Sequence, residues 1–138
     1  MERVDLFVKG VVGVVSGFVS MLVGGLGLVF TVLLGLMAID FITGLLAGAF
    51  NEGLQSGKGA KGIIKKVYVI LLIGSVYLIE MAVLKSNGVV TDGISGAFCL
   101  IEFVSIVENG GKLGIRMPDK LKDLIATLKN EKKEGEDK

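Results

Sequence analysis

The stretch Gly10–Asn51 holds 42 residues and a single formal charge, Asp40. As a helix it would run about 63 Å at about 1.5 Å per residue, twice a hydrocarbon core of about 30 Å. One straight crossing cannot use that length. A hairpin of two crossings can, with the break at Gly24-Gly25-Leu26-Gly27. An unpaired acid among acyl chains costs several kcal/mol, so Asp40 must face protein, water or the membrane edge. The chain is therefore read first as a membrane protein.

The rest of the composition agrees. Of 138 residues, 51% are hydrophobic before the 21 glycines are counted, and mean hydropathy is +0.72. The apolar residues are blocked into runs, which is the membrane pattern rather than the spread of a soluble core. The chain makes one domain at most, with no room for a soluble catalytic domain beside its spans. A net charge of +1 singles out no nucleic-acid partner. One cysteine, Cys99, excludes an intrachain disulfide and a multi-cysteine metal site, and it reads as a small packing residue. The absence of His removes the commonest general base and transition-metal ligand. The N-terminus reads as a retained first span and not as a signal peptide.

Four spans are expected, over residues 7–23, 26–50, 67–84 and 93–107, making an all-α, small polytopic membrane protein. In the first span Gly10, Gly13, Gly17, Ser20 and Gly24 form a thin face for close helix approach. In the second, Asp40, Gly44, Ala47 and Gly48 share a face, and Gly44 and Gly48 have GxxxG spacing. Residues 51–66 read as a polar loop carrying Gly62, Lys65 and Lys66, cytoplasmic by its lysine excess over Glu52. The third span contains Glu80 near its far end; residues 85–92 make a short external turn. In the fourth, Ser95, Glu102, Ser105 and Asn109 line one helix face, with Glu108 beside them. Pro118 opens an amphipathic helix over about 118–129, in a cytoplasmic tail (110–138) that follows a transmembrane domain (1–109). Four spans place both termini and the lysine loop on the cytoplasmic side; a long tilted or re-entrant first segment leaves three.

Enzyme motifs are missing. There is no Gly-rich phosphate loop, no nucleophile–histidine pair, and Glu102 and Glu108 sit about 120° apart around a helix. No cofactor or metal is expected. What remains is a set of acids at or near membrane depth: Asp40, Glu80 and Glu102, with Glu108 at the boundary. Such groups serve helix packing, a water-filled path or ion coupling. Pairing with interfacial lysines to fix helix register is the plainer alternative.

Three blocks carry a resemblance. Asp40-Phe41-Ile42-Thr43-Gly44 resembles the D-x-x-T-G signature of the toxin-secretion/phage-lysis holins. Ser56-Gly57-Lys58, Gly62 and Lys65-Lys66 resemble that family's loop, although a Ser pair is common where this chain has Ser56-Gly57. Glu102-Phe103-Val104-Ser105-Ile106-Val107-Glu108-Asn109, followed by Leu113-Gly114 and Pro118 with Leu121, is similar to its E-x-x-S-I-x-E-N block. The resemblance runs from about Leu36 to Leu128. It implies a non-enzymatic protein of the bacterial cytoplasmic membrane that self-associates and opens lesions, releasing an endolysin or a large toxin. Its partners would be membrane lipids, copies of itself and that cargo.

On this reading, assembly runs through the Gly13/Gly17 and Gly44/Gly48 faces. Sister helices satisfy the Asp40 and Ser95/Glu102/Ser105 faces in the closed state, and water does so in the open one. The competing expectation is a small ion or solute channel or transporter, with a partner-anchoring scaffold as a third.

Overall fold

The structure, a computed structural model, describes residues 1–51, 53 and 56–136; the side chains described exclude those at 18, 19, 21–26, 56, 132–134 and 136. Glu52 of the expected loop, the side chain of Gly24's neighbourhood in the first span, and the end of the tail thus lie outside them. Among the described residues four helices follow one another: α1 (Glu2–Asn51), α2 (Ser56–Ile79, continued by a π-helical turn, Glu80–Leu84), α3 (Val89–Lys112) and α4 (Asp119–Glu136). No strand occurs among the described residues.

α1 is broken at Gly27, where φ is +80° and ψ −168°. Only glycine adopts that conformation readily. The break falls inside the expected Gly24–Gly27 cluster, and Thr31 Oγ1 donates to the Gly27 carbonyl oxygen at 3.0 Å just beyond it. The halves on either side differ in surroundings. Every described side chain from Glu2 to Gly17 is exposed, including Val4, Leu6, Phe7 and Val14. Beyond Gly27, Phe30, Leu33 and Met37 are buried and pack with Ile73 of α2.

Among the described residues three helices are long and apolar enough to cross a membrane: Gly27–Asn51, Gly57–Leu84 and Val89–Lys112. The structure thus carries three candidate spans; a fourth, over residues 7–23, is not shown. The core they enclose is thin, with Phe30, Leu33, Met37, Ala47 and Ile73 as its buried apolar members among the described residues. Large apolar residues cover the outside, as a lipid-facing bundle requires.

The expected loop is shorter than its composition suggested. α2 begins at Ser56, so Gly62, Lys65 and Lys66 are helical residues and not loop residues. Lysine supports helix as readily as leucine, and Lys66 gains two carboxylate partners by staying in it. α3 stops in a Schellman motif. Gly114 takes φ +81°, its N–H bonds the Gly111 oxygen at 3.0 Å, and the Ile115 N–H bonds the Gly110 oxygen at 3.1 Å. Pro118 then supplies its carbonyl oxygen to the N–H groups of Leu121 and Lys122, and α4 starts at Asp119.

Candidate functional site: a buried ionic cluster

α1, α2 and α3 each deliver one charged side chain to the same level. Asp40 lies 11 residues before the end of α1, Glu102 lies 10 before the end of α3, and Lys66 lies nine after Gly57. At 1.5 Å per residue all three sit about 14–17 Å from the same end of the bundle.

The ammonium joins them. Lys66 Nζ is 2.8 Å from Asp40 Oδ2 and 2.6 Å from Glu102 Oε2, and the three side chains are 18%, 14% and 11% exposed, in that order. One cation bridging two carboxylates removes most of the cost of placing either acid at this depth. Asn109, two helical turns after Glu102, completes the site. Its Nδ2 donates to Asp40 Oδ1 at 3.0 Å, to the Asp40 carbonyl oxygen at 3.3 Å and to Thr43 Oγ1 at 2.9 Å. Thr43 Oγ1 in turn donates to the Asp40 carbonyl oxygen at 3.1 Å. Gly44 lies against the same amide: a Cβ there would stand 3.7 Å from Asn109 Nδ2, an ordinary contact.

The expectation that sister helices satisfy Asp40 and Glu102 is therefore corrected. Lys66 and Asn109 of the same chain satisfy them, as the lysine-pairing alternative has it. The two helix faces do meet as their spacing suggests. On α3, Thr91, Ser95, Glu102 and Asn109 are all buried, and the Ser95 hydroxyl is buried without a hydrogen-bond partner.

A groove of about 230 Å³ reaches the cluster from the α1–α2 connection. Gly44 and Gly48 of α1, Gly59 and Gly62 of α2, and Ser105 and Asn109 of α3 line it, with Asp40 and Lys66 at its inner end.

The remaining residues singled out in the sequence lie elsewhere. Glu80 is fully buried at the other end of the bundle, where its carboxylate accepts Ser86 Oγ at 2.7 Å, Val90 N–H at 2.9 Å, Thr91 N–H at 2.8 Å and the Thr91 hydroxyl. It caps the first turn of α3 from another helix, where backbone N–H groups are otherwise unpaired. Glu108 is exposed and pairs with Lys129 of α4 at 2.6 Å. Lys65 is exposed on α2, and Gly114 and Pro118 shape the α3–α4 corner. A Cβ at Gly13 or Gly17 would meet nothing within 4 Å, and one at Gly48 would meet only the Gly53 carbonyl oxygen at 3.9 Å.

Sequence reasoning missed Lys66 as the bridge. Two acids in neighbouring apolar runs call for a cation, and Lys66 is the lysine next to the third run; that signal was available. It also missed Asn51, whose Nδ2 donates to the Lys112 carbonyl oxygen at 2.9 Å and ties the ends of α1 and α3.

Comparison with known proteins places this bundle. An uncharacterised protein of Halalkalibacterium halodurans is 30% identical over 132 residues, covering 92% of this chain and 97% of that one. One from Listeria monocytogenes is 32% identical over 125 residues, covering 91% and 85%. An uncharacterised 14.9 kDa protein of the nagH 3' region in Clostridium perfringens is 26% identical over 133 residues, covering 96% and 100%. No solved structure matches. The model of the bacteriophage holin family matches residues 17–130, which takes in the whole ionic cluster, the groove and the α3–α4 corner. The chain is a multi-pass membrane protein that belongs to the bacteriophage holin family.

Proposed function

We propose that the protein acts as a holin in the bacterial cytoplasmic membrane: copies accumulate, associate, and open lesions through which an endolysin or a large toxin leaves the cell. The family match over residues 17–130 carries this reading. Two features support it. The bundle has a largely apolar exterior and turns Glu80, Thr91, Ser95, Glu102 and Asn109 inward, a form that can accumulate without leaking. Its exposed N-terminal arm, with Gly13 and Gly17 free of neighbours, offers a thin face to other copies. No step of this activity needs an enzyme, a metal or a cofactor.

The lysines in the first turns of α2 set the orientation in this proposal. Lys58, Lys61 and Lys65 face the cytoplasm by the positive-inside rule, and α4 lies on the same side. Gly27 and the turn at residues 85–88 face outward. If the arm before Gly27 also crosses, the N-terminus returns to the cytoplasm.

Inducible expression in a bacterium carrying a peptidoglycan hydrolase without a signal peptide tests the proposal. The expected result is growth, then abrupt depolarisation and loss of turbidity, with the hydrolase in the medium. Stable potential and retained hydrolase at full expression would overturn it. The groove ending at buried charges gives a second reading, a selective ion channel. That reading calls for saturable small-ion flux from liposomes that retain a co-trapped protein, whereas the holin releases both.

A further inference from the structure

We propose that α2 is the moving part of the bundle, that α1 and α3 stay paired as a fixed wall, and that Lys66 is the latch between them. The inference rests on the holin reading and adds which helix moves.

α1 and α3 are joined along their whole common length. Cys99 Sγ lies 3.8 Å from the Val29 carbonyl oxygen near one end, Asn109 holds Asp40 and Thr43 at mid-length, and Asn51 holds Lys112 at the other end. Their packing is much more extensive than that of α2 on either one. Bonds spread over so long a seam must break together for it to open, which makes separation there the costly route.

α2 is held differently at its two ends. At the outer end Glu80 fastens it to the first turn of α3 through Ser86, Val90 and Thr91, and Ile73 sits in the apolar core. At the other end its first two turns stand across the glycine-lined groove from α1. Gly44 and Gly48 of α1 face Gly59 and Gly62 of α2 across it, so the larger side chains on its lining, Phe41, Leu45 and Lys58, meet few others there. Lys66 crosses at the groove's inner end with both of its ion pairs. A swing of α2 about its Glu80 end therefore keeps the α1–α3 seam intact while it withdraws the Lys66 ammonium from both acids. It leaves Asp40, Glu102, Ser105 and Asn109 as a polar wall that water can wet.

Reversible cross-links separate the two movements. Val29→Cys with the native Cys99 permits a disulfide across the α1–α3 seam. Leu45→Cys with Gly59→Cys, in a Cys99→Ser background, permits a short thiol-reactive bridge across the groove between α1 and α2. Lysis and hydrolase release are followed with the links closed and after reduction. The expected result is release on the normal schedule with the α1–α3 disulfide closed, and release at the uninduced background with the α1–α2 bridge closed and restored by reductant. Should the unlinked Leu45/Gly59 variant fail to lyse, Phe41→Cys with Gly59→Cys bridges the same groove. A closed α1–α3 disulfide that blocks release, or a closed α1–α2 bridge that does not, would overturn the proposal while leaving the holin reading standing. Failure of the unmodified protein to lyse cells would overturn both.

Discussion

Asn109 Nδ2 lies 3.0 Å from Asp40 Oδ1 although 69 residues separate them in the chain. The same amide reaches Thr43, so one side chain of α3 reads the whole Asp40–Thr43–Gly44 signature of α1. Replacing Asn109 by Leu keeps the branched shape at some added volume and removes these bonds. The expected loss is about 1–3 kcal/mol of stability, the cost of leaving buried polar groups unpaired. Denaturation in detergent micelles measures it, and Asn109→Asp should cost more by setting a second carboxylate against Asp40.

Lys66 balances two acids, so its removal should be felt more strongly than that of either acid alone. Lys66→Met leaves Asp40 and Glu102 facing each other in a half-buried site, at an expected cost of about 1–3 kcal/mol. Adding Asp40→Asn and Glu102→Gln to Lys66→Met should recover much of that loss, because no uncompensated charge remains. A mutant cycle by denaturation checks the coupling. Glu102→Gln by itself should alter lysis timing, since it weakens the latch without unbalancing the charge; unchanged timing would count against a role for the cluster in opening.

Much of this site could be read from the sequence, and the reasons for the rest are physical. The α3 stripe shows because residues seven and four apart return to one helix face, and Glu102 and Asn109 are both buried on it. The break in α1 shows because a glycine cluster is the natural place for the backbone of Gly27. The bridge by Lys66 has no local pattern, because its partners lie 26 and 36 residues away on other helices; the one signal for it is that two acids in apolar runs call for a cation. Its glycine- and lysine-rich surroundings also look like a loop. The role of Glu80 was hidden for a similar reason: the N–H groups that it receives exist only once α3 begins beside it.

Glu80→Gln offers one acceptor oxygen where the carboxylate offers two. Its expected effect is local: amide hydrogen exchange at Val90 and Thr91 should speed up, with exchange at Asp40 and Thr43 unchanged. Equal acceleration at both ends of the bundle would contradict the assignment of Glu80 as a cap for α3.

Gly27 has a backbone that other residues adopt only under strain, at a cost of about 1–3 kcal/mol. Gly27→Ala should therefore relax the break toward continuous helix. Spin labels at Val8 and Ile42, on either side of the break, should report a longer separation in the variant. An unchanged distance distribution would show that the kink is imposed from elsewhere.

The central claim is that one chain closes its own membrane-buried charges through Lys66. Solid-state NMR of the protein in lipid bilayers, with labelled lysine ammonium nitrogen and labelled Asp and Glu carboxyl carbons, tests it directly. The account predicts one lysine nitrogen in strong dipolar contact with an Asp and a Glu carboxyl at once, persisting when labelled protein is diluted with unlabelled copies and lost in Lys66→Met, while the separate Lys9–Asp5 and Lys129–Glu108 contacts remain. Contact that disappears on dilution would place the partners on different chains and contradict it.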